Sequence, residues 1–123
     1  MAELHVELVA ADRKVWSGEA TIVLARTKSG DIGIQPNHTP VLGAMDPQPV
    51  TIRQADGTTV VAAVHGGLLS FADNRLSILA EVAELADEID VDRAERALAS
   101  AKADSEAVAQ RRAEVRLLAA TGR

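Results

Sequence analysis

Histidine and carboxylate side chains are the groups in this sequence best suited to acid–base or metal chemistry. The three histidines, His5, His38 and His65, lie far apart along the chain, and no two have the spacing of a metal-ligand pair. Asp31 and His38 share one short segment, but no nucleophile stands in a defined relation to them. The sequence therefore predicts no catalytic residue and no metal site, with an Asp31–His38 acid–base couple as the weakest alternative.

Glycine and arginine residues raise the question of a phosphate site. Gly66 and Gly67 lack the lysine and the following helix of a phosphate-binding loop, so we expect a bulge or a close strand crossing there. Arg111, Arg112 and Arg116 lie within two helical turns. They are interpreted as ordinary surface charge, and an anion site is the sharper alternative. The acidic run at residues 81–88 is interpreted as a solvated linker.

Composition excludes several classes of protein. The chain has 123 residues, a net charge of -5 and a pI near 5.1, whereas a nucleic-acid binder needs clustered positive charge. Cysteine is absent, which excludes thiolate metal sites and fits a reducing compartment. The chain has no apolar run long enough to span a membrane, and its acidic first residues do not resemble a signal peptide. We expect no nucleic-acid partner and no direct membrane insertion.

A turn-rich segment, GDIGIQPNHTP at residues 30–40, is the most informative stretch of the chain. Gly30 and Gly33 permit positive φ or close backbone approach. Pro36 and Pro40 fix φ and push the residue before each toward extended geometry. This combination predicts one rigid, exposed loop that contacts a partner.

Short segments with an apolar period near two occupy the first 85 residues or so. Leu4, Val6 and Leu8 alternate with other residues, and Asp56-Gly57 between two such segments is typical of a tight hairpin turn. Strands at this density with no intervening helix predict an antiparallel sandwich or barrel, and we assign it to a domain of residues 1–86.

Helix-forming residues replace this pattern in a second domain, residues 87–123. Ten alanines lie between Ala94 and Ala120, and Asp92 with Glu95 is expected to form a capping box. Asp104 or Ser105 is a candidate cap for a second helix. A helical hairpin is therefore predicted, with one extended helix as the alternative when a partner offers a surface. Its apolar seam comprises Val91, Ala94, Leu98, Ala101, Val108, Val115 and Leu118.

Taken in order, these motifs resemble those of the epsilon subunit of the bacterial F-type ATP synthase. The resemblance covers essentially the whole chain. Its most specific pieces are GDIGI at residues 30–34 leading to PNHTP at 36–40, VHGG at 64–67 and AEVAE at 80–84. A further piece, IDVDRA at residues 89–94, is similar to a short motif by which some members of the family bind ATP.

The resemblance implies a β-sandwich of about ten antiparallel strands followed by a C-terminal α-helical hairpin. It implies a non-catalytic subunit of the central stalk that couples proton-driven rotation of the c-ring to ATP synthesis through the gamma subunit. The C-terminal helices would reach the catalytic alpha/beta head and regulate ATP hydrolysis. The location implied is peripheral, at the cytoplasmic face of the bacterial plasma membrane. A nucleotide-sensing module, in which ATP holds the hairpin down, is the alternative function.

The resemblance also assigns roles to individual residues. Those expected to face the c-ring from the predicted loop are Ser29, Gly30, Asp31 and His38. Those expected to bind regulatory ATP are Asp90, Arg93, Ala94, Arg112 and Arg116. No cofactor is expected to be required.

Overall fold

Ten β-strands and two helices follow one another along residues 2–122, which are the residues described by the structure, a computed structural model. The strands are β1 (Leu4–Ala10), β2 (Lys14–Ala20), β3 (Ile22–Thr27), β4 (Gly30–Ile34), β5 (Val41–Met45), β6 (Gln48–Arg53), β7 (Thr59–Val64), β8 (Gly67–Ala72), β9 (Arg75–Ala80) and β10 (Ala83–Leu85). The helices are α1 (Val91–Ala103) and α2 (Ala107–Thr121). A sandwich followed by a helical hairpin, as predicted from the sequence, is confirmed.

A single 3-10 turn, Ala86–Glu88, separates β10 from the residues leading into α1. The predicted division into domains 1–86 and 87–123 places its boundary within this turn, and it stays a prediction. The outer ends of those domains, Met1 and Arg123, lie outside the described residues.

The sheet folds over on itself at β3. One layer has the strand order β4–β3–β6–β7–β10, and the other has the order β5–β8–β9–β1–β2. The layers are joined where Thr27 of β3 pairs with Met45 of β5. The pairings recorded among the described residues are antiparallel except that of β1 with β9, which is parallel. This exception to the predicted antiparallel arrangement is accommodated because β1 and β9 are far apart in sequence, as parallel neighbours require.

Aliphatic side chains from both layers fill the space between them. The predicted alternation in β1 is confirmed, since Leu4, Val6 and Leu8 are fully buried and the residues between them are partly exposed. Phe71 of β8 is the largest buried side chain. This continuous apolar core fixes the register of the strands, because a slip by one residue would turn each buried side chain toward water.

Tight turns join consecutive strands where the sequence predicts them. The β6–β7 turn contains Asp56 and Gly57, and the β8–β9 turn places both Asp73 and Asn74 at positive φ. The expected close crossing at the double glycine is confirmed at Gly67, where an added Cβ would lie 2.1 Å from the carbonyl oxygen of Leu79.

The turn-rich segment at residues 30–40 is not a single loop. Gly30–Ile34 forms β4, which pairs antiparallel with β3 from Val23 to Thr27. The glycines therefore belong to a hairpin, and the prolines to the connection that follows it. The prediction of one loop was wrong because Ile32 and Ile34 were not interpreted as a period-two strand pattern, although they satisfy it.

Helix α1 begins two residues earlier than predicted. Asp90, rather than Asp92, is the N-cap, and its Oδ1 accepts a hydrogen bond of 3.0 Å from the backbone N–H of Arg93. Asp92 lies in the first turn, where a negative charge favours the helix dipole. The N-cap of α2 is Glu106, so the expected caps Asp104 and Ser105 are wrong.

The hairpin contacts the sandwich through α2. Ala113, Val115 and Ala119 are buried, and Val115 and Ala119 pack with Ala63 on the outer face of β7. The predicted seam is wrong at Val108, which is 70% exposed. Few large side chains hold α2 to the sheet, so the docking surface stabilises the hairpin weakly.

Candidate functional site

The tip of the β3–β4 hairpin carries three of the residues expected to face a partner. Thr27 Oγ1 donates a hydrogen bond of 3.1 Å to the Gly30 carbonyl and accepts one of 3.2 Å from the Ser29 N–H. Gly30 has a φ of 125°, which a side chain would disfavour. Asp31 follows with a side chain that is 81% exposed. The tip therefore presents a fixed backbone and a solvated carboxylate.

His38 lies beyond the opposite end of β4. Its ring meets the edge of Phe71 with centroids 5.9 Å apart, and its Nδ1 donates a hydrogen bond of 2.6 Å to the Thr39 carbonyl. Three steps of β4 separate Asp31 from Ile34 at the end of the strand, about 10 Å at the usual rise of a strand. Asp31 pairs with Arg26, whereas His38 contacts Thr39 and Phe71, so the structure shows no Asp31–His38 contact and assigns the four residues expected in one loop to the hairpin tip and to the connection after β4.

A cavity of about 290 Å³ separates α1 from the end of the sandwich. The structure brings four of the five expected nucleotide-binding residues together here, namely Asp90, Arg93, Ala94 and Arg116. The fifth, Arg112, lines a different cleft. The helical period explains this difference, because Arg112 and Arg116 lie one turn apart along α2 and reach different depths of the interface.

Two carboxylates that the sequence analysis assigned to a solvated linker also line this cavity: Glu84 and Glu88. Glu84 Oε1 accepts a hydrogen bond of 2.6 Å from Arg116 Nε. The Glu88 carboxylate forms a bidentate salt bridge, or fork, with the Arg13 guanidinium through hydrogen bonds of 2.9 and 3.2 Å. It also accepts a hydrogen bond from the Leu85 N–H. The hydrogen bonds from Arg13 lower the pKa of Glu88 most, and the bond from the Leu85 N–H lowers it further. The solvated-linker interpretation is wrong for these two side chains.

The Arg116–Glu84 pair continues to a buried histidine. His65 is only 3% exposed, and its Nε2 lies 3.4 Å from Glu84 Oε1. Burial lowers the pKa of His65, and the positive charge of Arg116 lowers it further. The pair thus connects α2 to β10 and β7 through charge-assisted bonds. Sequence spacing could not reveal this group of three, because Arg116 lies in α2, Glu84 in β10 and His65 directly after β7.

Two features are absent from the part of the chain that the structure describes. Residues 2–122 contain no group of three or more histidine or carboxylate side chains able to hold a metal ion. No helix within them is long and apolar enough to cross a membrane.

Comparisons with known proteins agree with this architecture. Residues 3–86 match the family model described as the β-sandwich domain of the ATP synthase delta/epsilon chain. The ATP synthase epsilon chain of Streptomyces avermitilis is 70% identical over 99% of this chain and 98% of its own length. That of Rhodococcus opacus is 50% identical over 94% of this chain and 96% of its own length.

Solved structures show the same fold at low sequence identity. A chain of the Euglena gracilis mitochondrial ATP synthase, in an assembly with the c-ring, has a TM-score of 0.76 and 23% identity. The similarity covers 95% of this chain and 76% of that one. A chain from the central stalk and c-ring of the Tetrahymena thermophila enzyme has a TM-score of 0.59 and 18% identity, over 95% and 96% of the two chains.

Proposed function

The chain belongs to the ATP synthase epsilon-chain family, and from this premise we propose that it is a non-catalytic rotor subunit in the central stalk of a proton-translocating F-type ATP synthase. Its sandwich binds the gamma subunit and the c-ring and passes rotation of the ring toward the catalytic head. The observation that carries this proposal is a rigid sandwich with two exposed contact surfaces, a hairpin tip and an apolar strand face.

The apolar face lies on the layer that the helices leave uncovered. We call it the leucine face, and it comprises Leu42, Leu68 and Leu79, which are 74%, 49% and 55% exposed. Leu68 pairs directly with Leu79, and Ala44 pairs with Leu68 and shares a strand face with Leu42. Exposed leucines gathered on one side of a sheet favour a protein partner. We assign the gamma subunit to this face.

The β3–β4 tip suits a polar partner. Ser29 and Asp31 present hydrogen-bonding groups on a backbone held by Thr27, and the exposed Asp31–Arg26 pair, 3.4 Å apart, contributes little to stability. Asp31 is therefore free to exchange Arg26 for a partner group at small cost. We assign the polar loops of the c-ring to the tip, and His38 to a separate contact.

The gamma assignment is tested by copurification from cells that express the whole complex. Leu42→Asp places a charge on the leucine face without disturbing the core, and we expect gamma recovered with the chain to fall by about tenfold or more. Ala55→Asp, in the exposed β6–β7 turn, is the matched control and should retain gamma. Undiminished recovery with Leu42→Asp would exclude the leucine face as the gamma surface.

Regulation by ATP is a second candidate function, favoured by the cavity that Asp90, Arg93 and Arg116 line. A bound phosphate would draw Arg116 from Glu84, and the guanidinium groups suit a phosphate fork. The cavity volume of about 290 Å³ lies at the lower end of ligand sites, so part of the nucleotide would project from it. A ligand held between α1 and the sandwich would keep the hairpin docked.

Calorimetry with ATP tests the second function. We expect saturable binding to the full chain, weakened about tenfold by Arg93→Gln. Arg96→Gln, an exposed arginine one turn further along α1, should bind as the unaltered chain does. If millimolar ATP produced no heat and no thermal shift, this function would be excluded, while the rotor function would be untouched.

The location and the outer partners follow from the proposed role. A subunit bound to gamma and the c-ring sits peripherally at the cytoplasmic face of the plasma membrane. The weak docking of α2, through small side chains such as Ala113 and Ala119, permits the helices to leave the sandwich and contact the alpha/beta head. ATP hydrolysis by the assembled complex, with and without residues 89–123, measures whether that movement inhibits the enzyme.

A further inference from the structure

A second cavity, of about 630 Å³, lies between the end of the sandwich and the N-terminal end of α2. Its volume is within the range of small-molecule sites. It is distinct from the cavity of Asp90 and Arg93, which shares none of its lining residues. Two of its lining residues have been named above, Leu68 in the leucine face and Arg112 among the residues expected to bind ATP, but neither function assigns a ligand to the cavity itself.

The charge of this cavity is opposite to that of the protein. Lys28, Arg111 and Arg112 line it against a single carboxylate, Glu81, in a chain whose net charge is -5. Lys28 Nζ forms a salt bridge of 3.0 Å with Asp46 Oδ1, which partly compensates its charge. Arg111 donates a hydrogen bond of 2.9 Å to the neutral Pro47 carbonyl, which fixes the guanidinium without compensating its charge.

The N-terminus of α2 adds to this positive potential. Ala107 and Val108, the first two residues of the helix, line the cavity, and the side chain of the N-cap Glu106 makes no capping hydrogen bond. The first backbone N–H groups of the helix are thus left to an outside acceptor, and the helix dipole favours an anion there.

A buried nitrogen supplies an independent observation. His65 lines the cavity, and its Nδ1 is buried without a hydrogen-bond partner. Because Nε2 faces the Glu84 carboxylate and donates to it, Nδ1 of the neutral ring carries a lone pair and requires a donor. A monoprotonated phosphate offers one hydroxyl hydrogen for such a lone pair, together with anionic oxygens for the arginines.

The remaining walls are aliphatic. Met45, Pro47, Leu68 and Val108 contribute apolar surface, and the lining residues include no phenylalanine, tyrosine or tryptophan. A flat base would find no stacking partner there, whereas an alkyl chain would cover the exposed Leu68 and Val108. We propose that this cavity binds an alkyl phosphate, with the head group at Arg111, Arg112 and His65 and the chain along the aliphatic wall.

Such a ligand would contact both parts of the molecule. Leu68 and His65 belong to the sandwich, and Val108 and Arg112 to α2. A bound ligand therefore holds α2 against the sheet. It favours the docked position of the hairpin whether or not ATP is bound. This regulation goes beyond the proposed coupling role.

Calorimetric titration of the full chain with decyl phosphate, below its micelle concentration, tests the proposal. We expect one saturable site, and at least about fivefold weaker binding of decanoate, decanol and inorganic phosphate, because each lacks the donor hydroxyl, the charge or the chain. No saturable binding of decyl phosphate, or equal binding of decanol, would overturn the proposal. Equal binding of decanoate would overturn the phosphate assignment.

Two pairs of variants locate the site. Arg112→Gln should weaken decyl phosphate about fivefold or more, whereas Arg96→Gln on α1 should not. Leu68→Asp should abolish binding, whereas Leu79→Asp, directly paired with it and similarly exposed but outside the cavity, should not. Equal effects within either pair would contradict this location.

A phosphate head group could come from a membrane lipid or from a soluble compound. Cosedimentation with phosphatidylcholine vesicles containing phosphatidic acid separates the two sources. Cosedimentation that Arg112→Gln abolishes assigns the lipid, and decyl phosphate binding without cosedimentation assigns the soluble compound. Cosedimentation that Arg112→Gln leaves unchanged would contradict recognition in this cavity.

Discussion

At the scale of single residues, Arg116 makes a shorter hydrogen bond from α2 to the sandwich than Arg111 does. Its Nε bond of 2.6 Å to Glu84 joins α2 to β10, and both side chains are less than one-third exposed. Glu84 in turn contacts the buried His65. Loss of one member leaves the others with an unpaired polar group.

Replacing Arg116 with alanine tests this dependence. We expect a loss of about 1–2 kcal/mol in the free energy of unfolding, because a charge-assisted hydrogen bond is removed and Glu84 loses its partner. The pKa of His65, measured by NMR, should rise, since the charge of Arg116 lowers it in the intact protein. Arg96→Ala should change neither quantity. An unaltered stability and His65 pKa would show that the pair does not couple α2 to the sheet.

Acidification should weaken the fold through His65. Burial and the nearby Arg116 and Arg112 lower its pKa from 6.5, more than Glu84 raises it. Below pH 6.5 the unfolded chain therefore binds more protons at this site, so the stability contribution is complete above that pH and is lost as pH falls toward the lowered pKa. Chemical denaturation at several pH values measures how the free energy of unfolding falls with acidification. The slope of that fall should be smaller for His65→Gln than for the unaltered chain, by at most the equivalent of one bound proton.

His5 provides a control, because its pKa is shifted in the opposite direction to that of His65. Its hydrogen bond with Glu19, and then that with Glu7, raise its pKa above 6.5. Its contribution is therefore present below pH 6.5 and is lost as pH rises through the raised pKa. His5→Gln should make the acid loss steeper than in the unaltered chain. Matching slopes for the two histidine variants would refute this account of the pH dependence.

Residue types and local motifs identified only part of the candidate nucleotide site. Asp90, Arg93 and Ala94 lie close together in sequence, so their proximity follows from the first turn of α1. Glu84 could not be placed there from its position in an acidic run, since its contact with Arg116 spans 32 residues. The cleft that contains Arg112 was also missed, because its walls come from strands and a helix distant along the chain.

At the scale of elements, the first residue of β8 is the glycine at which an added Cβ would meet another atom most closely. Gly67 has a φ of 139°, and a Cβ there would lie 2.1 Å from the Leu79 carbonyl oxygen and 2.8 Å from the Ala80 Cα. Backbone atoms cannot move aside as a flexible side chain does. The two glycines at residues 66–67 therefore have different roles.

Substituting alanine at each position separates those roles. Gly67→Ala should cost more than about 3 kcal/mol, from strain at positive φ and displacement of β9. Gly66→Ala should cost about 1 kcal/mol, because an added Cβ meets no atom within 4 Å and only the φ of 84° is unfavourable. Urea denaturation of both variants measures the difference. Equal losses would mean that β8 and β9 do not approach so closely.

Strand alternation and turn chemistry predicted most elements of the sandwich, since both signals are local. The hairpins at Asp56-Gly57 and Asp73-Asn74 are examples. The first half of the residue 30–40 segment was misassigned because glycines masked a five-residue strand whose partner, β3, makes it stable. The helix start was misassigned because Asp90 and Asp92 are both adequate N-caps. Only the turn preceding α1 selects Asp90.

The sandwich should fold without the hairpin. A chain ending at Glu88 retains the main core and the Arg13–Glu88 fork. It loses the Arg116–Glu84 bond, and the apolar cluster that it exposes is the small second one around Ala63. We expect cooperative thermal unfolding and an unchanged β-type circular dichroism spectrum. An unfolded product at 25 °C would show that α2 is part of the same folding unit, contrary to the predicted division at residues 86 and 87.

At the scale of the whole molecule, three surfaces are arranged around one rigid sandwich. The leucine face lies on one layer, the hairpin docks on the other through β7, and the β3–β4 tip projects from an edge. A sandwich closed by a continuous core transmits force between such surfaces with little deformation. The helices are held more weakly, which suits a regulatory element better than a coupling element.

Reconstitution of the ATP synthase tests the coupling role most directly. Complexes assembled without this chain should hydrolyse ATP with little ATP-driven proton pumping into vesicles, and adding the chain should restore pumping together with its copurification with gamma. The chain carrying Leu42→Asp should fail to restore pumping, and the chain carrying Ala55→Asp should succeed. Full pumping in complexes that lack the chain would contradict the proposed role.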